Sequence, residues 1–360
     1  MEISRKAGVR ASSQPDQEYM NRRLKNTLIT LAFPVAMYLM MEAICLLATG
    51  KHVLDFSTNL DLVNLVRNTG IACAITYALS FNLTSGRLDL SLGAQRLAGT
   101  VIGSNIALSL GLSGVWLLLF SLVFGLVFGL LVGLVFVWVR VPPMVLGIGM
   151  GLILESLVYV TSRGIGLNLF GVQGITILSE AYFTILVVTI LLLLVLYLVA
   201  YTKFGYQMRA IQGSQRIAQN SGINIFRHAV LCYTFAGGLV GVSGILDAAY
   251  KTQMAVTSGN ASSGTVVSNT FPMFLGIFLG RWSNQAVGIL VATLTLKIFA
   301  MGLAKLQLSE AMSNVVNMFL YLAFLVYLAN ENYFKKKKAW ADRLVQVREK
   351  KRELGIPVEA

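Results

Sequence analysis

Side chains able to do chemistry are few in this chain and do not gather into a reaction centre. Its two histidines, His52 and His228, belong to no His-Glu-x-x-His or Cys-x-x-Cys pattern, so no metal site is assigned. Gly50-Lys51, the only Gly-Lys pair, lacks the leading glycine and the following hydroxyl residue of a phosphate-cradling loop. ATP hydrolysis is therefore not expected of this chain itself. No Gly-x-Ser-x-Gly elbow occurs, and the carboxylates are not paired at helical spacing for acid–base work. Cys45, Cys73 and Cys232 all lie in apolar runs, where thiols pack as small hydrophobes. No catalytic residue is assigned, and no cofactor is expected in this chain.

What remains are isolated ionisable groups in apolar surroundings, namely Arg67, Glu155 and Lys297. Each costs at least ~2.5–3.5 kcal/mol at a bilayer centre unless it meets a cavity or a partner. At ~1.5 Å of rise per residue, the three come to similar depth in their segments. They are expected to face one another around a route for a polar solute; the alternative is a structural ion pair between Glu155 and Lys297. Asp61, Asn64 and Asn68 recur at i, i+3 and i+7 and so share one helical face, suited to a water-filled path or to a buried face with satisfied amides. Asp89 and Ser91 follow Gly86, where a bend leaves backbone groups open to solute. Asp89 alternatively caps the next helix.

These groups need a membrane to position them. Hydrophobic residues make up 56% of the 360 and charged residues 12%, against ~25% charged in soluble domains. Apolar segments run near 26–48, 60–83, 88–111, 115–139, 142–162, 181–202, 226–250, 265–281, 284–304 and 312–334. Each is long enough to cross ~30 Å of hydrocarbon as a helix. The reading is an all-α polytopic membrane protein of about ten transmembrane helices. The segment with Asn269 and Pro272 is the weakest.

Lys and Arg accumulate on the cytoplasmic side of membrane proteins. Six lie in residues 1–25, nine in 335–352 and four in 203–227, and with Arg87, Arg140 and Arg281 they make 22 of the 29 on one side. Only Lys51, Arg163, Lys251 and Lys305 fall on the other, and Arg67, Arg96 and Lys297 lie within segments. Both termini are therefore expected in the cytoplasm. Residues 1–25 and 335–360 read as basic tails, 26–334 as the membrane domain. The tails suit anionic lipid headgroups of the bilayer rather than nucleic acid. No cleaved signal peptide is apparent.

Residues 201–228 form the longest polar stretch between spans, where a bare connection needs only ~2–8 residues. A helical piece from Tyr206 to Asn220, interrupted near Gly213 and stopped at Ser221-Gly222, is expected to carry Ala210, Ile211, Ile217 and Ala218 as an apolar surface among Gln, Arg209 and Arg216. Such a surface suits a partner's groove, or alternatively the headgroup layer. Gly125, Gly129 and Gly133, and likewise Gly237 and Gly241, are spaced by four and form flat strips for helix packing.

The run Thr202, Phe204, Gly205, Ala210, Ile211, Gly213, Ala218, Ser221, Gly222, Ile223 resembles the cytoplasmic coupling region, T-x-FG…AIGGN…AA-x-SGI, of sugar-type ABC importer permeases. Leu83 to Gly93 is similar to their LTSGIDLSVG signature, lengthened by Arg87, and Arg140-Val141-Pro142-Pro143 is similar to their K-V-P-P. The resemblance covers roughly residues 60–330. It implies the permease subunit of an importer in the bacterial cytoplasmic (inner) membrane, coupled through about 203–225. The implied partners are a second permease subunit, separate ABC ATPase subunits carrying MgATP, and an extracytoplasmic solute-binding protein. A monosaccharide is the first expected cargo; a nucleoside, an autoinducer-2-like furanose or an amino acid are alternatives. An ion-coupled secondary transporter using Asp89 or Glu155 as a proton relay is the rival of another class.

Overall fold

The computed structural model describes the backbone of residues 14–55 and 59–353, and the side chains of 25–55, 59–309, 311–331 and Tyr333. The basic side chains expected in residues 1–24 and at Lys335 to Lys338 lie outside the described residues. A first compact unit runs to Lys305 and a second begins at Leu306.

In the first unit the order is α1 (Gln14–Thr49), α2 (Leu60–Thr84), α3 (Leu92–Ser109), α4 (Val115–Val139), α5 (Pro143–Thr161), β1 (Leu167–Asn168), α6 (Ile175–Ser179), α7 (Ala181–Tyr201), α8 (Lys203–Gly213), α9 (Gln215–Asn220), α10 (Ile225–Lys251), β2 (Gln253–Met254), α11 (Ser263–Leu279) and α12 (Gln285–Lys305). The second unit carries one long helix, α13 (Glu310–Glu353).

Among the described residues, eight helices or parts of helices are long and apolar enough to cross a membrane: 25–49 of α1, 311–331 of α13, and α2, α4, α5, α7, α10 and α12. The other two expected spans differ. Third in the chain, α3 starts at Leu92 rather than 88 and is diluted by Gln95, Arg96 and Asn105; α11 has only 17 residues. Before α3 the chain is unwound over 88–91, where a spanning helix was expected, whereas α11 nearly coincides with the expected 265–281 and follows an unwound segment of its own. Towards the termini, α1 and α13 continue as helix into both segments read as tails.

Local chemistry sets the boundaries. Gly86, at φ +75°, ends α2, and the Arg87 N–H donates to the Asn82 carbonyl at 3.0 Å, closing the helix terminus. Pro143 opens α5 at its first position, where a missing N–H costs nothing.

The core of the first unit is α10, packed on α2, α3 and α4. The two glycine strips meet each other: a Cβ on Gly125 or Gly129 would run into the carbonyls of Gly237 and Tyr233, and one on Gly241 into that of Ser121. On Gly133 it would stand 3.0 Å from the Val230 Cα. Within this chain, then, the strips bring α4 and α10 to backbone contact. By contrast, α1, α4, α5 and α7 turn Leu, Ile and Val side chains outward, as lipid-facing helices do.

Candidate functional site

The polar connection after α7 folds as two short helices. Ser214, extended at ψ 119°, breaks them, and its hydroxyl accepts the Ile217 N–H at 3.4 Å. Phe204 fastens α8 to the body: it stacks on His228 at 4.9 Å and meets Phe81 and Phe235 edge-on at 5.6 and 5.3 Å. Burying such a side chain contributes roughly 1.5–3 kcal/mol. Gly205 is forced by the Val199 backbone, which leaves no room for a Cβ.

The expected outward apolar surface is corrected here. Ile211 and Ala218, both 2% exposed, turn inward with Met208, while Ala210 is half-buried. What faces out is Tyr206 and Ile217, each 68% exposed, with Arg209, Gly213, Arg216, Ser221 and Gly222 around them. A shallow cavity of about 370 Å³ between α8 and α9 is lined by Tyr206, Arg209, Ala210, Ile217 and Ile223. The periodic pattern identified helix correctly, but the attachment through Phe204 decided which side is free.

The second short helix, α9, and the start of α10 are tied to the Leu83–Gly93 segment. Gln215 Nε2 donates to the Ser85 carbonyl at 3.3 Å, and Arg87 Nη2 to the Ile225 carbonyl at 3.4 Å, with the Arg87 guanidinium lying over the Phe136 ring. Burial lowers the Arg87 pKa, yet a guanidinium stays charged at neutral pH. Asp89, 1% exposed, accepts from the Ser91 N–H (2.9 Å), the Ser91 hydroxyl (2.6 Å), Gln95 Nε2 (3.0 Å) and Asn82 Nδ2 (3.4 Å). Its carboxylate thus clamps the end of α2 to the start of α3.

One face of α5 records how deep two unwound segments reach. At Gly147 a Cβ would stand 2.7 Å from the Leu90 nitrogen; at Gly151 it would stand 2.5 Å from Asn260 Oδ1. One turn further, Glu155 Oε2 accepts the Asn260 N–H at 2.7 Å, and Oε1 accepts the Ser262 N–H at 2.8 Å and the Thr257 hydroxyl at 3.4 Å. These positions lie at i, i+4 and i+8, about 6 Å apart along the axis. The segments 85–91 and 252–262 therefore enter the helical layer from its two sides, and Gly93, in the first turn of α3 just after the first of them, abuts the Ser262 backbone at the end of the second. Non-helical backbone at such depth is tolerated where protein surrounds it or where it lines a cavity.

Above this contact lies a cleft of about 530 Å³, lined by Gly93, Arg96, Asp247, Lys251, Ala255 and Ser262 among others. Arg96 Nη2 donates to Asp247 Oδ2 at 2.5 Å, and Lys251 Nζ reaches Oδ1 at 3.0 Å from one turn along α10. Lys297 of α12, half-buried, is within electrostatic reach of Asp247 and Lys251.

The expected convergence of Arg67, Glu155 and Lys297 is not formed. Glu155 spends its carboxylate on the 257–262 segment and makes no ion pair among the described residues. Equal depth on separate helices does not set direction. Arg67 instead lies over the Tyr250 ring, 5.3 Å from its centroid. The polar stripe of α2 is largely committed to neighbours: Asp61 Oδ2 accepts from Lys305 at 2.7 Å and Asn64 Oδ1 from the Tyr250 hydroxyl at 3.2 Å, while Asn68 is half-buried. Sequence reasoning missed Arg96 and Asp247. The in-span position of Arg96 and the i, i+4 spacing of Asp247 and Lys251 were the available signals, but nothing local pairs residues 96 and 247.

Comparison with known proteins adds a family. The family model described as "Branched-chain amino acid transport system / permease component" matches residues 66–326. The ribose import permease protein RbsC of Bacillus subtilis is 25% identical over 268 residues, covering 73% of this chain and 82% of that protein. RbsC of Escherichia coli K12 is 23% identical over 271 residues, 73% and 83%. A probable branched-chain amino acid transport permease protein, LivH, of Methanocaldococcus jannaschii is 38% identical over 78 residues, 21% and 23%. No solved structure matches the chain.

Proposed function

The chain belongs to the family of branched-chain amino acid transport system permease components, of the sugar-type ABC importer kind, and on that premise we propose that it is the membrane-spanning subunit of an ATP-driven importer of a monosaccharide. A second permease subunit, a pair of cytoplasmic ATPases and an extracytoplasmic solute-binding protein complete the assembly, set in a bacterial cytoplasmic membrane with both termini inside. The observation that carries this reading is the α8–α9 pair, which presents Tyr206 and Ile217 between Arg209 and Arg216 while its opposite face is packed on the body. An apolar knob with a polar rim suits a partner's groove.

A displacement of α8 and α9 is passed on through Gln215 to Ser85, and through the start of α10 to Arg87. From there it reaches the Asp89 clamp and the Gly93–Ser262 contact below the cleft. Nucleotide-dependent states of the ATPases bias that contact between closed and open, in proportion to how differently they hold the two. Both candidate proton-relay carboxylates, Asp89 and Glu155, are occupied as hydrogen-bond acceptors, which favours the ATP-driven reading over an ion-coupled carrier.

The test is purification of the full chain from native membranes, followed by uptake of a panel of labelled monosaccharides and their acids into proteoliposomes. An ABC ATPase is expected to co-purify, with accumulation only when ATP is supplied. Accumulation driven by a proton gradient in vesicles that contain no ATPase would overturn the reading.

A further inference from the structure

The cleft over Gly93 and Ser262 has an uneven charge wall. Arg96 and Lys251 both pair with Asp247, the carboxylate they share, and Lys297 of α12 lies within electrostatic reach of it. The other acid nearby, Glu155, is 2% exposed and saturated by two backbone N–H groups and a hydroxyl, so its charge is spent on the segment that forms one side of the cleft. Two donors in the lining are left without partners among the described residues: Arg96 Nε, on a residue 9% exposed, and the Ser262 hydroxyl, on a residue 7% exposed. A buried donor without an acceptor is costly, and a bound group that accepts from both removes the cost. A guanidinium already holding Asp247 through Nη2 keeps Nε for a second acceptor.

Resting on the importer reading above, we propose that this cleft is a binding station for a polyhydroxylated solute carrying one anionic group, with Arg96, Lys251 and Ser262 holding the anion and Asp247 accepting from hydroxyls. The substrate class is thus a sugar acid rather than a neutral sugar. The volume of about 530 Å³ is ample for such a molecule. Glu155 acts here as a positioning residue, fixing the Thr257–Ser262 backbone so that the Ser262 hydroxyl stays in the wall.

A cysteine placed at Ala255, an exposed lining residue, reads the site directly, because the three native cysteines are buried. In the full-length chain in lipid nanodiscs, A255C is expected to react with a sulfonate-bearing thiosulfonate about tenfold faster than with a trimethylammonium one, each relative to its rate with a free thiol in solution. Adding Lys251→Gln, at a side chain 61% exposed and so safe for folding, is expected to lower that ratio about threefold. D-ribonate is expected to protect the cysteine and D-ribose to leave its labelling unchanged. Equal rates for the two reagents, no effect of Lys251→Gln, or equal protection or none by both probes would overturn the assignment. Importer and anion readings fail separately: ATP-driven uptake of ribose without protection by ribonate removes only the anion, whereas uptake without ATP removes the importer.

Discussion

Gly93 lies against the backbone of Ser262, 169 positions later in the chain, so closely that a single methyl group on the glycine has no room. Here the first turn of α3, which follows the unwound 85–91 segment, closes on the end of the unwound 252–262 segment. Gly93→Ala is expected to force them apart, at the ~1–3 kcal/mol typical of overpacking, and to abolish uptake. Gly213→Ala is the control: its Cβ meets nothing within 4 Å, so unfolding temperature should hold or rise. Thermal unfolding in detergent and uptake in vesicles, run on both variants, check the pair.

Arg96, buried, and Asp247, half-buried, make an ion pair between α3 and α10, and Lys251 reaches the same carboxylate at 3.0 Å. Removing Asp247 strands the Arg96 guanidinium and costs up to about 3–5 kcal/mol, whereas replacing both costs much less. Asp247→Asn is therefore expected to lower the unfolding temperature more than the double variant Arg96→Gln/Asp247→Asn, since Arg96→Gln alone leaves Asp247 its bridge to Lys251. A double-mutant cycle on thermal stability measures the coupling, and additive losses would contradict it.

Glu155 holds the 257–262 segment through three charge-assisted bonds. Glu155→Gln retains the shape but loses the charge, and each such bond contributes roughly 1.5–3 kcal/mol. The expected outcome is faster proteolysis or hydrogen exchange confined to residues 252–262, with helix content by circular dichroism unchanged.

On α8 and α9, two isoleucines separate docking from folding. Ile217→Asp, at a 68% exposed position, should leave the permease folded and inserted while abolishing ATPase binding; Ile211→Asp, at 2% exposure, should destabilise the protein itself. Co-purification of the ATPase, compared with thermal stability of each variant, distinguishes the two effects.

Gln215→Leu removes the side-chain bond to the Ser85 carbonyl and keeps the exposed face of α9 intact. ATPase binding should persist while solute no longer stimulates hydrolysis. Normal stimulation would mean that motion passes by another route, with the Arg87 contact to Ile225 the next to examine.

Composition and twenty-residue hydropathy made the membrane class and nearly every helix legible, because each depends only on neighbours in the chain. So were the break between α8 and α9 and the stop at Ser221-Gly222, both of which are local backbone chemistry. Direction was not legible. Which side of α8 and α9 faces outward follows from where Phe204 anchors them. The partner of Glu155 is a backbone segment a hundred residues away, and Arg96 meets Asp247 across 151 positions. A span's sequence states that a charge must be satisfied, but only the packing of α3, α5, α10 and α11 states by what. Periodicity is a property of one helix, whereas a cleft is a property of several, and their relative rotation is decided by long-range contacts such as the backbone approach of Gly125 to Gly237.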